Sequence, residues 1–423
     1  MTIRFCKNLG FFLWLITFLA SCATYTDSIK PIREDFTSGA YEKALSSLEE
    51  LSLKEEKRNE LLYLLEKGSL LGRLGQTKKS QKAFLAADRA VDRLYRASLA
   101  GEVASYLYND SAKDYQGEDH EKVAIHTHLA LSFLEDGQLQ KARVEARAIN
   151  TQLNEINNFY DENKNRYRED AFARLLAGLI YEAKKEWDSA IVEYRAALKI
   201  YEGTYKQHFD TPVPKLLVDS LYRLSKKRRR TALINKIEKT YKPAPPPKAK
   251  SASLIVIHEV GLIPMKTTEE FVFMWDGKPI RFSFPVIKRQ FQSIYGRTGV
   301  TVNAAFASAD LVQNLSQIAR STLEDARGRF TLKMGARVVL KDQIAQQAEK
   351  SFGIFGKLAA GIYGAVTETA DTRSWTLLPS AYYVTRVPLK PGSYNVKITT
   401  NSRVSKLQKI RLKKGEVAFL RDY

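Results

Sequence analysis

"LLAGLIYEAKKEWDSAIVEYRAAL", residues 175–198, decides how the N-terminal half reads. Apolar residues recur at helical spacing on both sides of "KKEWD", so the stretch predicts two amphipathic helices joined by a tight turn. Small residues mark where the two approach: Gly178 on the first, Ala190 and Ala197 on the second, with Tyr181 and Tyr194 between them. Working outward, the pattern returns in "LALSFLEDGQLQKARVEARAI" (129–149) and "KGSLLGRLGQTKKSQKAFLAA" (67–87). A half copy stands in "FTSGAYEKALSSLEEL", with Gly39, Ala44 and Leu48.

This pattern resembles the tetratricopeptide repeat, in which small residues let antiparallel helices approach and aromatics fill the gaps between pairs. The reference positions Ala44, Ser80, Ala142 and Ala190 are not evenly placed at the usual period of about 34 residues. Extra material enters near 95–120 and 151–170. Residues 36–240 therefore predict an irregular TPR-like solenoid, whose surface suits a segment of another protein.

"YKPAPPPKAKSAS" (241–253) ends the helical pattern, because its prolines cannot occupy a helix interior. A linker at 241–252 is expected, with two separately folded halves. The period then changes to two. "SLIVIHEV" predicts a buried strand, "EEFVFMWDGKPIRFSFPVI" a hairpin about Asp276-Gly277, and "TGVTVNAAFA" a further strand. Strand signals return in "SAYYVTRVPL", "SYNVKITT", "KLQKIRL" and "EVAFLRDY". The expected fold class is α+β multidomain: an all-α TPR-like solenoid, then an antiparallel β-sandwich over 253–423 with a helical insertion at about 310–369. Within that insertion, "FGIFGKLAAGIYGAV" carries Gly356, Gly361 and Gly364 on one helical arc. Two readings stand: a helix packed on its own sheet, or a contact with a membrane or partner.

Residues 1–21 read as a lipoprotein signal peptide: Arg4 and Lys7, then an apolar run too short for a confident membrane span. "LASC", ending at Cys22, resembles the lipobox, and predicts acylation there; an ordinary cleaved signal or a retained anchor is the alternative. Cys6 is the only other cysteine, so a mature chain starting at Cys22 has no disulfide and no thiolate metal site. Residues 22–35 would form the tether. Ala23, where inner-membrane lipoproteins often carry Asp, favours the periplasmic face of the outer membrane.

The net charge is +20, from 67 Lys and Arg against 47 Asp and Glu. For a secreted lipoprotein this points to an acidic protein, anionic envelope polymer or lipid rather than to nucleic acid. The densest run is Lys226, Lys227, Arg228, Arg229 and Arg230, read either as a solvated helix face or as a partner-binding patch. "GEDHEKVAIHTH" (117–128) groups three histidines, but His120, His126 and His128 are spaced off any common helical face, unlike zinc helices with ligands at i and i+4. No metal is expected; Asp119 is read as near a helix cap. No nucleophile elbow, phosphate loop or dinucleotide fingerprint occurs, so no enzyme and no cofactor is expected. "DTRSW" (371–375) reads as a structural ion pair with a packed Trp, or as a ligand site.

Three stretches together resemble a family of uncharacterised bacterial lipoproteins: "NDSAKDYQGEDHEKVAIHTHLALSFL", "LIVIHEVGLIPMK" and "GIFGKLAAGIYGAVTETADTRSWTLLPSAYYVTRVPLKPG". Tyr115, Gly117, Glu118, Asp119, Asp371, Arg373 and Trp375 belong to these motifs. The resemblance implies an envelope protein, linked to peptidoglycan synthesis or outer-membrane assembly; the repeat surface adds the reading of a protein-binding scaffold or adaptor. An envelope enzyme or carrier for glycan or lipid is the alternative.

Overall fold

A computed structural model describes residues 25–51, 53, 57–100, 114–160, 165–246, 251–275, 278–288, 296–327, 370–404 and 407–423. Cys22, Gly356, Gly361 and Gly364 lie outside them.

Among the described residues, five helix pairs follow one another. They are α1 (Tyr25–Ser38) with α2 (Tyr41–Glu50), α3 (Glu60–Arg73) with α4 (Thr77–Ala100), α5 (Asp119–Glu135) with α6 (Leu139–Phe159), α7 (Ala171–Ala183) with α8 (Trp187–Ile200), and α9 (Lys215–Lys227) with α10 (Thr231–Thr240). One device turns every pair. The first helix ends at a single left-handed residue: Gly39, Gly75, Gly137, Lys185 or Arg229. That residue's N–H and the next one return to carbonyls three and five residues back, as in Gly75 to Gly72 (2.9 Å) and Gln76 to Leu71 (2.9 Å). These bonds satisfy carbonyls that a helix end leaves open. Close approach within the pairs has its own residues. A Cβ on Gly178 would lie 2.4 Å from the Tyr194 ring, and one on Gly68 would lie 2.6 Å from Phe84. In the third pair the corresponding positions are Ala130 and Ala146, both buried.

The array thus starts inside the expected tether, since α1 begins at Tyr25. It also includes a pair, α9/α10, that the repeat pattern had not counted.

Among the described residues eleven strands follow: β1 (Ala252–Val260), β2 (Thr267–Trp275), β3 (Lys278–Val286), β4 (Gly299–Val302), β5 (Ala305–Ser308), β6 (Asp310–Asn314), β7 (Ala381–Leu389), β8 (Gly392–Thr400), β9 (Arg403–Val404), β10 (Gln408–Leu412) and β11 (Val417–Asp422). One sheet has the order β11-β1-β7-β6 and another β10-β8-β4-β5, with β9 beside β8. The hairpin β2–β3 pairs from Thr267 with Val286 to Trp275 with Lys278. The expected all-antiparallel arrangement is corrected: β1 and β11 run parallel, from Ser253 opposite Val417 to His258 opposite Asp422. The single strand expected in "TGVTVNAAFA" is two, reversed at Asn303 and Ala304, both with positive φ. Asp310–Asn314, expected to begin the helical insertion, is strand β6, paired with β7. Residues 315–327 are helical, and 328–369 lie outside the described residues.

β1 joins two cores. Leu254 and Val256 pack with Val300, Val302, Val396 and Ile398 of the second sheet. Ile255 and Ile257 face the other way and share one cluster with Leu62, Leu176 and Leu217 of the helices. Serving both cores, the strand lacks the alternation of a half-exposed one. Helices and first sheet bury a common core, which also takes in Val312, Trp375 and Tyr382.

Candidate functional site

The irregular segment Asp371–Ser380 lies against the first helices of the repeats. A buried stretch outside any sheet must still find partners for its backbone polar groups. Here helix side chains supply them. Glu66 of α3 accepts from Thr376 N (2.7 Å), Thr376 Oγ1 (2.9 Å) and Leu377 N (3.1 Å). Glu121 of α5 accepts from Trp375 N at 2.7 Å. Tyr25 Oη donates to Ser374 O and to Glu66, each at 3.0 Å. Arg33 donates to the carbonyls of Thr376 and Ile263. Trp375 is buried against Phe84 and His128, and its Nε1 donates to Ser69 Oγ at 2.9 Å.

The sequence motifs meet at one end of this segment. Arg373 grips Asp371 with two nitrogens, at 2.7 to 3.1 Å. The same guanidinium donates to Asn59 Oδ1 (3.0 Å) and lies over the Tyr115 ring. Lys266, buried, pairs with Glu118 and donates to Arg373 O at 3.0 Å. Tyr115 donates to Glu121, whose carboxylate also takes Glu118 N at 3.1 Å across the start of α5. Glu118 is therefore the N-cap position and Asp119, beside it, the first helical residue; Asp119 accepts from Asn165 at 2.7 Å. Gly117 holds a left-handed turn beside Leu61.

Burial pushes Glu66 and Glu121 up to about 7. Burial also raises Glu118, but the Lys266 charge outweighs it and holds Glu118 below the usual carboxylate range. A raised carboxyl is a mark of functional sites, and also of buried structural networks. The geometry here is structural, because the oxygens of Glu66 and Glu121 take hydrogen bonds from the chain itself.

Further networks fix the remaining first helices. Glu259 of β1 receives Arg421 of β11 at 2.6 Å and Arg73 of α3 at 3.2 Å. Arg421 also donates to His128 Nδ1 at 2.9 Å. That leaves the proton of a neutral His128 on Nε2, 3.3 Å from Tyr382 Oη. Burial drives His128 down to about 3 and His120 down to about 4. Glu182 of α7 joins Arg386 of β7 and Arg223 of α9 (2.7 Å). Burial alone would raise Glu182; the two guanidiniums bring it down to about 2. Asp170 caps α7 through Ala173 N (2.7 Å) and accepts from Gln313 of β6 (2.7 Å). All five first helices thus meet the C-terminal half, Ser220 of α9 through Arg386 at 3.0 Å. The face that stacked helix pairs offer to partners is covered by the chain's own strands.

The basic run is the turn of the fifth pair. Lys226 pairs with Glu238 (3.1 Å), Lys227 sits 3.6 Å above the Trp187 ring, and Arg228 and Arg230 share Asp188 (2.6 and 3.0 Å). Arg229 is the left-handed residue. Of the three histidines, His126 turns away to Glu145 (3.0 Å) and Asp88 (3.4 Å). Among the described residues no group of three or more metal-ligating side chains converges.

Sequence reasoning missed Glu66, Glu182, Lys266 and Arg386. A signal existed for the first two. Glu66 lies four residues from Leu62 and Leu70 on one apolar stripe, and Glu182 four from Gly178.

No protein-family model matches the chain, and no curated protein matches it. Among solved structures, the chain is similar over 51% of its length to the MamA protein, at 15% identity, covering 86% of that chain with a TM-score of 0.30. It is also similar to a putative kinesin light chain of Podosopora anserina with nearly identical TPR-like repeats (12% identity, 50% and 90% coverage, TM-score 0.33). A tetratricopeptide repeat protein of Parabacteroides merdae is a third (15%, 52% and 81%, TM-score 0.21). At these values the likeness carries no functional argument. The chain's own geometry is a TPR-like helical half carrying a strand-containing half of mixed sheets.

Proposed function

We propose that this protein is a non-enzymatic scaffold or adaptor of the bacterial cell envelope, anchored through acylated Cys22 at the periplasmic face of the outer membrane. The observation that carries the scaffold reading is the fused body itself. Five helix pairs, an architecture whose use is display of binding surface, are locked to a β-rich half by buried charge-assisted bonds. Such a body keeps its outer helices in fixed positions. The prominent buried acid–base groups, Glu66, Glu121, Glu118, Lys266 and Glu182, have partners within the chain, which favours stoichiometric binding over turnover.

The resemblance to uncharacterised envelope lipoproteins adds the setting, with peptidoglycan synthesis or outer-membrane assembly as the process served. In-cell crosslinking from exposed outer-helix positions, followed by identification of the attached protein, tests the reading. A protein partner of the envelope is the expected result. Crosslinks to glycan or lipid alone would overturn it in favour of a carrier or an enzyme.

A further inference from the structure

Lys226 to Arg230 being held largely within the fold, positive charge open to a partner must be sought elsewhere. A cleft of about 360 Å³ runs between α8 and α10, the second helices of the last two pairs. Leu233, Ile237 and Tyr241 form its apolar floor, beside Val192, which is 62% exposed. Arg195, Lys199 and Lys236 stand exposed on its rim. Among the described residues none of these three cations makes an ion pair. Among the described residues Glu202 is the one carboxylate lining the cleft, and it accepts from Tyr241 Oη at 2.7 Å. The contrast with the neighbouring basic run, where four of five cations have partners, gives the cleft its meaning.

We propose that this cleft docks an acidic amphipathic helix of a partner protein. An apolar groove between two helices receives side chains at i, i+3, i+4 and i+7 of a third helix. Carboxylates flanking that stripe would meet the three rim cations. A second copy of this chain is disfavoured, since the net charge of +20, less Arg4 and Lys7 of the signal segment, leaves each copy strongly positive. An anionic bilayer would meet the rim cations, but a flat surface does not enter a cleft of about 360 Å³ to reach half-buried Leu233 and Tyr241. The proposal rests on the scaffold reading and gives it a place and a partner chemistry.

The test uses the full chain in detergent and a fluorescein-labelled amphipathic peptide of about five helical turns, with leucine along one stripe and glutamate elsewhere. A peptide with lysine for every glutamate is the counterpart. The glutamate peptide binds, the lysine peptide does not, and the combined variant Arg195→Glu, Lys199→Glu, Lys236→Glu weakens binding about tenfold or more, as three exposed charge pairs imply. Val192→Asp weakens it comparably. All four residues are on the surface, so circular dichroism of both variants should match the parent. Glutamate-peptide affinity unchanged in either variant overturns the proposal. So does displacement of the peptide by phosphatidylglycerol vesicles whose binding depends on the same three cations, which would make the cleft a membrane contact.

A photo-crosslinker placed in cells at Val192, and separately at exposed Val144 of α6, separates the two levels of inference. One partner captured from Val192 and lost in the triple variant supports the cleft. Capture from Val144 alone overturns the cleft and leaves the scaffold standing, and capture from neither overturns both.

Discussion

At the scale of the residue, Glu66 and Gly178 carry opposite lessons about burial. Four donors converge on Glu66: Tyr25 Oη, Thr376 N, Thr376 Oγ1 and Leu377 N. Glu66→Gln replaces one oxygen by an amide nitrogen that accepts from none of these donors, whether or not the carboxyl carries its proton, so it should destabilise the fold by roughly 2 kcal/mol in urea unfolding. The penalty depends on pH with a definite sign. Burial raises Glu66 from 4.5 to about 7. The folded chain therefore keeps a proton that the unfolded chain has released. This contribution to stability is full below about 4.5 and is lost as pH rises through about 7. His120 and His128 oppose it: lowered from 6.5 to about 4 and about 3, they cost stability as pH falls below 6.5. Both histidines are present in parent and variant, so the difference isolates Glu66. The melting-temperature gap between Glu66→Gln and parent should narrow from pH 4.5 to pH 7; a widening gap means the carboxyl is not raised. Gly178 tests packing. Alanine is favoured over glycine within a helix by about 1 kcal/mol, but here its Cβ would meet the Tyr194 ring at 2.4 Å. Tyr194 is fully buried and its hydroxyl is held on Glu182 at 3.0 Å, so the ring has nowhere to move. Overpacking of this kind costs about 1–3 kcal/mol, so Gly178→Ala should be destabilising. Gly72→Ala, with the nearest side chain at 3.5 Å, should be neutral or slightly stabilising.

At the scale of the element, what the sequence discloses tracks how local the determinant is. The turns at Gly39, Gly75 and Gly137 were legible, because a residue suited to a left-handed conformation sits at each one. The fourth pair turns at Lys185 and was read from its small residues instead; the fifth, with Tyr222 and Ile234 where the fourth has Gly178 and Ala190, carries no such mark around Arg229. The filled helix face was illegible for a different reason. Glu66 meets Thr376 across 310 positions, and Glu182 meets Arg386 across 204. A carboxylate on an apolar stripe announces a buried donor without saying which one. The same long-range bonds change what a cut in the proline linker should do. Residues 241–246 are already docked, with Ala244 N on Asp219 at 2.7 Å, and 247–250 follow. Protease cleavage there should leave one particle on size exclusion, with both fragments eluting together and melting in one transition. The helical fragment made alone would expose Glu66, Asp170 and Glu182 beside the apolar surface that now covers Ile255 and Trp375. Elution of two independently folded fragments after cleavage would show that the common core contributes little.

At the scale of the whole molecule, anchor and solenoid set a geometry that is measurable. Helix α1 starts at Tyr25 and is pinned by Tyr25 to Glu66 and by Thr26 to Thr372 at 3.0 Å. If Cys22 carries the lipid, two residues, Ala23 and Thr24, separate it from a fixed helix, a reach of about 10 Å from Cα to Cα. The α1 end of the array then stands at the bilayer. The five pairs follow in order, and at about 10 Å per packed helix layer α10 lies on the order of 40 Å further along. This ordering yields a depth experiment. A fluorophore on Asp27→Cys should be quenched by a headgroup-linked quencher in proteoliposomes, and one on Lys239→Cys should not. Cys22→Ala, which also removes labelling by radioactive fatty acid, should abolish quenching at Asp27. Equal quenching at both positions would mean that the body lies flat, its cations drawn to anionic headgroups. In that case 1 M salt, with a screening length of about 3 Å against about 10 Å at 0.1 M, should lift the α10 end and leave the Asp27 signal in place. An Asp27 signal that disappears with salt would show that charge, and not a lipid on Cys22, holds the protein to the membrane.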